Sequence, residues 1–256
     1  MKRFELERAI TGNELVLHFQ PIVEVPSRSV RGVEALVRWK HPERGIVSPM
    51  EFIPEVEATG LIRKLTLWVL REALLHASVW RRDGVPTAVG VNLSAVDLRD
   101  AGFQRFLDNT LKVAGGPEHL VAEVPARGLA ADPPVGMLEL MRSKGVRVAI
   151  DDAGEGDGHV IENLPADIVK VGRALVSRLA KDHRVAAFVS ALVAAAHERG
   201  FRVTAVGVED TVTWERIAAI GFDTAQGFLI APPMPPAELA EWRATRALSR
   251  QRWLSP

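Results

Sequence analysis

Val146-Arg147-Val148-Ala149-Ile150-Asp151-Asp152 is an apolar run of strand character that stops on two carboxylates. A strand covered on both faces reads as a near-continuous hydrophobic run, and a carboxylate at its end must be solvated, paired or used. The same design recurs on either side. Towards the N-terminus the strand-like runs 120–124, 87–93 and 30–39 carry Glu123, Asn92 and Glu34, and towards the C-terminus the runs 168–171, 203–208 and 225–230 carry Lys170, Val206 and Gln226. Val206 is the exception, an apolar residue in a polar series. In a parallel barrel the C-terminal ends of the strands converge on one rim where chemistry is built, so these positions point at a common pocket.

With a further run at 15–23, the chain has eight strand-like segments. Helical periodicity separates most of them, at 62–82, 103–114, 135–144, 185–199, 211–220 and 236–248. Only the first two strands lack a helix between them. Pro26, Ser27 and Arg28 read as a turn, which makes that pair antiparallel. Gly145, Gly200 and Gly221 stand where left-handed caps would end three helices. The alternation predicts an α/β fold, a TIM-like (β/α)8 barrel with one antiparallel strand near the N-terminus. Without repeats, low-complexity tracts or a linker, 1–256 is expected to be a single barrel domain.

Composition narrows the function classes. Thirty-two basic residues balance thirty-two acidic ones, so no overall field gathers polymeric nucleic acid or an anionic membrane, and any phosphate recognition has to be local. Cysteine is absent, which excludes disulfides and thiolate metal sites. Residues 1–10 are charged and lack the apolar stretch of a signal peptide. The near-apolar stretch 188–196 is too short to span a bilayer and contains Ser190, so a cytoplasmic location is expected. His18 reads as a hydrogen-bonded structural residue, and Arg243 as part of a solvated basic helix face.

Glu34, Asn92, Glu123 and Asp151 offer hard oxygen donors from separate strands, a set suited to Mg²⁺, Mn²⁺ or Ca²⁺ rather than Zn²⁺. Lys170, within Asp167-Ile168-Val169-Lys170-Val171, reads as an inward ammonium paired with them.

Glu34-Ala35-Leu36, followed by Val37-Arg38-Trp39, reproduces the signature of the EAL family of bacterial cyclic di-GMP phosphodiesterases. The chain also resembles that family at Gln20-Pro21-Ile22-Val23, Phe52-Ile53-Pro54, Val91-Asn92-Leu93-Ser94, Asp151-Asp152, Leu164-Pro165, Gly207-Val208-Glu209 and Gln226-Gly227. The resemblance implies the barrel expected above, with its second strand antiparallel or its first reversed. It also implies a two-metal site that opens cyclic di-GMP to the linear dinucleotide. Carried over by position, Glu34, Asn92, Glu123 and Asp151 would hold the first metal, and Asp151 and Asp152 would face the second. Lys170 would position the attacking water and Arg38 would grip a ligand phosphate. Gln20, Leu36, Asp152, Glu209 and Gln226 would complete the ligand pocket with Glu34 and Asn92.

The departures from the family pattern bear on activity. The second carboxylate of the family's Glu-Ile-Thr-Glu is Ala126, and the aspartate after the lysine is Gly172. The catalytic loop reads Asp151-Asp152-Ala153-Gly154-Glu155-Gly156-Asp157-Gly158-His159, without the family's aromatic anchors. Val206 stands where the family has the glutamate that serves the second metal and takes the proton from water. Losing a general base costs roughly 10²- to 10⁴-fold, so the expectation is a receptor that holds cyclic di-GMP, with one ion or none, and hydrolyses it little or not at all. Two other readings stand beside it. One is a protein-interaction module that no longer binds nucleotide, with a protein partner or a second copy as its target. The other is an active phosphodiesterase in which Glu155, Asp157 or Glu209 replaces the missing base.

Overall fold

Nine strands form one sheet in the computed structural model, which describes residues 3–100, 102–129, 133–157 and 163–253. They are β1 (Leu15–Glu24), β2 (Val30–His41), β3 (Gly45–Val47), β4 (Ala88–Asn92), β5 (Leu120–Pro125), β6 (Arg147–Ala153), β7 (Ile168–Val171), β8 (Arg202–Val206) and β9 (Thr224–Gln226). The order β1-β9-β8-β7-β6-β5-β4-β2 closes on itself through β1–β2, giving an eight-stranded barrel, while β3 is a hairpin arm on β2. β1 runs antiparallel to both neighbours, β2 and β9, so the first strand is the reversed one. The remaining barrel pairs are parallel.

Helices sheathe the barrel: α1 (Arg3–Thr11), α2 (Pro49–Ala58), α3 (Ile62–Arg82), α4 (Ala95–Leu98), α5 (Phe103–Ala114), α6 (Val135–Ser143), α7 (Arg173–Val176), α8 (His183–Glu198), α9 (Thr211–Ile220) and α10 (Pro236–Trp253). Gly145, Gly200 and Gly221 all have positive φ, as expected of residues ending helices in a left-handed turn. α3 buries Leu65, Val69, Leu70, Ala73, Leu74 and Ala77, a 3.6-residue stripe laid on the sheet. Trp39 of β2 is fully buried and donates Nε1 to Glu14 Oε2 at 2.9 Å, so its polar edge is satisfied inside the core. No helix among the described residues is long and apolar enough to cross a membrane.

Two expectations change. The last strand ends at Gln226 instead of continuing to 230. The Val208 backbone lies only 2.1 Å from where a Gly227 Cβ would stand, so the chain turns there against the β8 loop. Arg243 is also not part of a solvated face: its guanidinium lies 5.3 Å over the Trp80 ring and donates to Thr87 Oγ1 at 2.9 Å. An arginine stem covering apolar surface while its head finds a partner explains this placement. Trp242 beside it packs against the core.

The ladder sets the height of each polar side chain. Gln20 faces Glu34, Glu34 faces Gly90, Asn92 faces Glu123 and Val206 faces Gln226. Because side chains alternate across a strand, these pairings bring the polar residues to one level of the barrel interior. Gly90 makes room for them, since a Cβ there would lie 2.1 Å from Glu123 Oε1. Gly90→Ala is expected to cost about 1–3 kcal/mol by overpacking, whereas Gly136→Ala, in α6 with nothing within 4 Å, is expected to gain up to about 1 kcal/mol of helix propensity. Urea unfolding of both variants checks this, and equal effects would refute the steric role of Gly90.

Candidate active site

Lys170 is the hub. Its Nζ donates to Glu123 Oε2 at 2.5 Å and Glu34 Oε2 at 3.0 Å, and it lies 3.2 Å from Asp151 Oδ1. Lysine, Glu34 and Glu123 are all buried. Glu34 is further held by Asn92 Nδ2 on Oε1 at 2.8 Å and Gln226 Nε2 on Oε2 at 2.8 Å. Gln226 Nε2 also reaches Gln20 Oε1 at 2.9 Å, and Gln20 Nε2 donates to the Ala231 carbonyl at 3.0 Å. Strands β1, β2, β4, β5, β6, β7 and β9 thus each contribute one side chain to a single network.

One ammonium cannot satisfy three buried carboxylates. Burial works hardest against ionising Glu34, yet the Lys170 charge and the hydrogen bonds from Gln226, Asn92 and Lys170 hold it below the usual carboxylate range. Burial, then the charge of Glu34, pushes Glu123 well above that range despite Lys170. Asp151 is raised as well, chiefly by burial. Burial also disfavours the Lys170 ammonium, but Asp151, Glu123 and Glu34 together hold its pKa well above the ordinary lysine value. The cluster gathers negative charge that Lys170 compensates from within, while the charge of Arg38 acts on Glu34 from beside it.

The other expected site residues fall in three places. Leu36 and Asn92 line a cavity of about 470 Å³ beside the rim, with Ile53, Val69, Ser94 and Pro125. Arg38 is half-buried, donates Nη1 to the Val37 carbonyl at 2.9 Å and feels the charge of Glu34. Asp152 and Glu209 are not brought into the cluster. Asp152 has φ +52° and pairs with Arg127 Nη2 at 3.2 Å, and Glu209 pairs with Arg173 Nη2 at 2.8 Å. The β6–β7 ladder is irregular between Ile150 and Ala153, which lets the chain turn Asp152 outward. Gly172 makes that turn sterically open, because a Cβ at 172 would lie 2.2 Å from Asp152 Oδ1.

The alternative bases are occupied elsewhere. Glu155 lies 3.7 Å from Arg178, and Asp157 Oδ2 accepts from the Gly154 N–H at 2.9 Å. Gly158 and His159 of this loop lie outside the described residues. Val206 is partly exposed next to Gln226 and presents only methyl groups.

Whether the residues suit a cation depends on their donors. No three His, Asp or Glu side chains among the described residues are grouped to hold a metal as they stand, since the carboxylates turn to Lys170. The donor chemistry nevertheless fits one hard cation: Glu34, Asn92, Glu123 and Asp151 supply oxygens in a strongly negative cluster, and buried Gln226 Oε1 has no hydrogen-bond partner among the described residues. Val206 has no lone pair and Asp152 turns outward, so the donors that face the cluster suffice for one cation.

This set of residues and this barrel have close counterparts. Residues 3–233 match the EAL domain model. The chain belongs to the EAL domain family. It is 37% identical over 241 residues to the bifunctional diguanylate cyclase/cyclic di-GMP phosphodiesterase MucR of Pseudomonas aeruginosa, covering 92% of this chain and 35% of that protein. It is 34% identical over 247 residues to the cyclic di-GMP phosphodiesterase PA2567 of the same organism, covering 93% of this chain and 41% of that protein. This EAL chain therefore spans between a third and a half of the length of these curated relatives. Among solved structures, the PaMucR phosphodiesterase in complex with c-di-GMP superposes with a TM-score of 0.87 at 36% identity, covering 92% of this chain and 98% of that one. The FimX EAL domain of Xanthomonas citri, also in complex with c-di-GMP, has a TM-score of 0.84 at 19% identity, with 91% and 92% covered, and attests the fold.

Breaking a buried ion pair by removing one partner typically costs about 3–5 kcal/mol. Lys170→Met should lose that much at neutral pH. The loss should shrink on acidification, because carboxylates whose folded pKa is raised give stability that is present below the unfolded value and lost as pH rises. Urea titrations between pH 7 and pH 4.5 measure it, and a pH-independent deficit would show that the carboxylates do not depend on this ammonium.

Proposed function

We propose that this EAL domain is a cyclic di-GMP receptor with little or no phosphodiesterase activity, in a single barrel domain spanning 1–256. The observation that carries the reading is the division of the site. The half built from Glu34, Asn92, Glu123, Asp151, Lys170, Gln20 and Gln226 is assembled, while Val206 and outward Asp152 leave the other half without donors. Binding and hydrolysis need different parts of such a pocket. Arg38, free to leave the Val37 carbonyl, supplies a guanidinium for a ligand phosphate. Gln226 Oε1 is an unfilled acceptor. A single Mg²⁺ or Mn²⁺ held by Glu34, Asn92, Glu123 and Asp151 would supply positive charge to a bridging phosphate.

Hydrolysis asks for more. A water must surrender its proton as it attacks, and a group within hydrogen-bond reach must take it. Valine cannot, and Glu155, Asp157 and Glu209 are engaged away from the cluster. Lys170 remains protonated and acts as a donor and positive pole, not as a base. The names of MucR and PA2567 favour a second reading, an active phosphodiesterase.

Calorimetric titration with cyclic di-GMP in Mg²⁺ or Mn²⁺, paired with chromatographic detection of the linear product, separates these readings. The receptor reading expects saturable binding, at least tenfold weaker in Arg38→Met, and turnover roughly 10²-fold or more below that of a complete site. Turnover of about 1 s⁻¹ or faster, an ordinary enzyme rate, would replace it with the enzyme, and absence of binding with the protein-interaction module. Val206→Glu is expected to leave hydrolysis low, since Asp152 still faces Arg127. Rapid turnover by this variant would show that the rest of the second half is intact.

A further inference from the structure

The opposite end of the barrel holds an arrangement the proposed function does not use. Arg31 of β2, Arg147 at the start of β6 and Arg202 at the start of β8 line one cavity in the floor of the barrel. Small Gly32, Gly90 and Ala149 share its lining with branched Ile22, Val121 and Ile168, and its volume is about 40 Å³. TIM barrels ordinarily fill such space with layers of bulky branched residues. Here a gap remains among them, bordered by three arginines.

The charges at this floor do not balance. Glu24 serves two guanidinium groups, Arg202 at 2.8 Å and Arg31 at 3.6 Å. Asp167 is taken by Arg142, at 2.8 Å, and by the Val148 N–H at 2.9 Å. Asp223 accepts from the Val203 N–H at 2.7 Å and lies 2.9 Å from His197 Nε2. The Arg147 side chain, of intermediate exposure, has no hydrogen bond or ion pair to a described residue. Burial and the neighbouring charges of Arg31 and Arg202 push its pKa down, with Asp167 alone opposing them. A floor that served only to plug the barrel would pair each arginine or replace it with an apolar residue, because a partly desolvated cation without a partner is unfavourable. Glu123 and Lys170 form the ceiling of the same cavity, and their mutual ion pair limits repulsion of an anion from above.

We propose that Arg147, with Arg31 and Arg202, forms a binding site for a compact oxyanion of the phosphate class at the N-terminal mouth of the barrel, separate from the strand-end pocket. The guanidinium fork matches such an ion through parallel N–H donors, and the gap leaves space for its oxygens. The ion would supply the missing counter-charge to three arginines that share Glu24 and Asp167.

The test compares thermal unfolding and calorimetric titration of the whole chain with inorganic phosphate against chloride at equal ionic strength. Wild type is expected to bind phosphate saturably and unfold at higher temperature in it. Arg147→Met should weaken binding roughly 10- to 100-fold, and Arg147→Lys should fall between the two. Arg105→Met, which removes an exposed charge on α5, should match wild type. A parallel titration with guanosine monophosphate identifies the source: affinity for phosphate alone marks a free ion, and equal or tighter affinity for the nucleotide marks a phosphoryl group carried on a larger body. If Arg147→Met does not fold, phosphate-dependent shifts of the arginine Nε–H resonances in wild type decide. No preference for phosphate over chloride, or equal losses in Arg147→Met and Arg105→Met, would overturn the proposal.

Discussion

A single ammonium inside a barrel organises this molecule. Lys170 is surrounded by Glu34, Glu123 and Asp151, and each of these comes from a different strand. The arrangement ties β2, β5, β6 and β7 together across the interior, where apolar packing alone would carry no directional preference. It also explains the small residues around it, since Gly90 and Ala149 yield volume to the polar side chains. The barrel is therefore partly an ionic structure, and its most buried charges lie in this cluster.

From that hub the two halves of the strand-end pocket diverge. One half is tied to Lys170 through direct contacts, and the amides of Asn92 and Gln226 fix Glu34 in place. The other expected members, Asp152 and Glu209, reach past the strand ends and meet surface partners, Arg127 and Arg173. The contrast follows from position. A side chain within a strand has its direction set by the ladder, while one in a loop takes whichever partner lies nearest.

The same distinction governs what the sequence discloses. The alternation of runs and helices was enough to read the barrel, and the place of Glu34, Glu123, Asp151 and Lys170 at strand C-termini pointed them to one rim. Which of the first strands is reversed was not legible, since antiparallel pairing of β1 with β9 joins residues near opposite ends of the chain. α2 escaped notice because Pro54 lies inside it, although Ser48 followed by Pro49 is a start signal. The contribution of Gln20 was visible only through the family resemblance, and its bridging of Gln226 to the Ala231 carbonyl needed coordinates. The outward turn of Asp152 could not be read, because it rests on one positive φ and on space above a glycine at the end of the neighbouring strand. The arginines of the floor likewise looked like ordinary strand-entry residues until closure of the barrel brought them together.

Gly172 and Asp152 divide one volume between them. The place where a side chain at 172 would begin is already filled by Asp152 Oδ1. An acid introduced at 172 would meet this oxygen first, and because the oxygen ends a half-exposed side chain, Asp152 can swing aside to admit it. Positions 152 and 172 thus share one space, and the rotamer of the first adjusts to the size of the second.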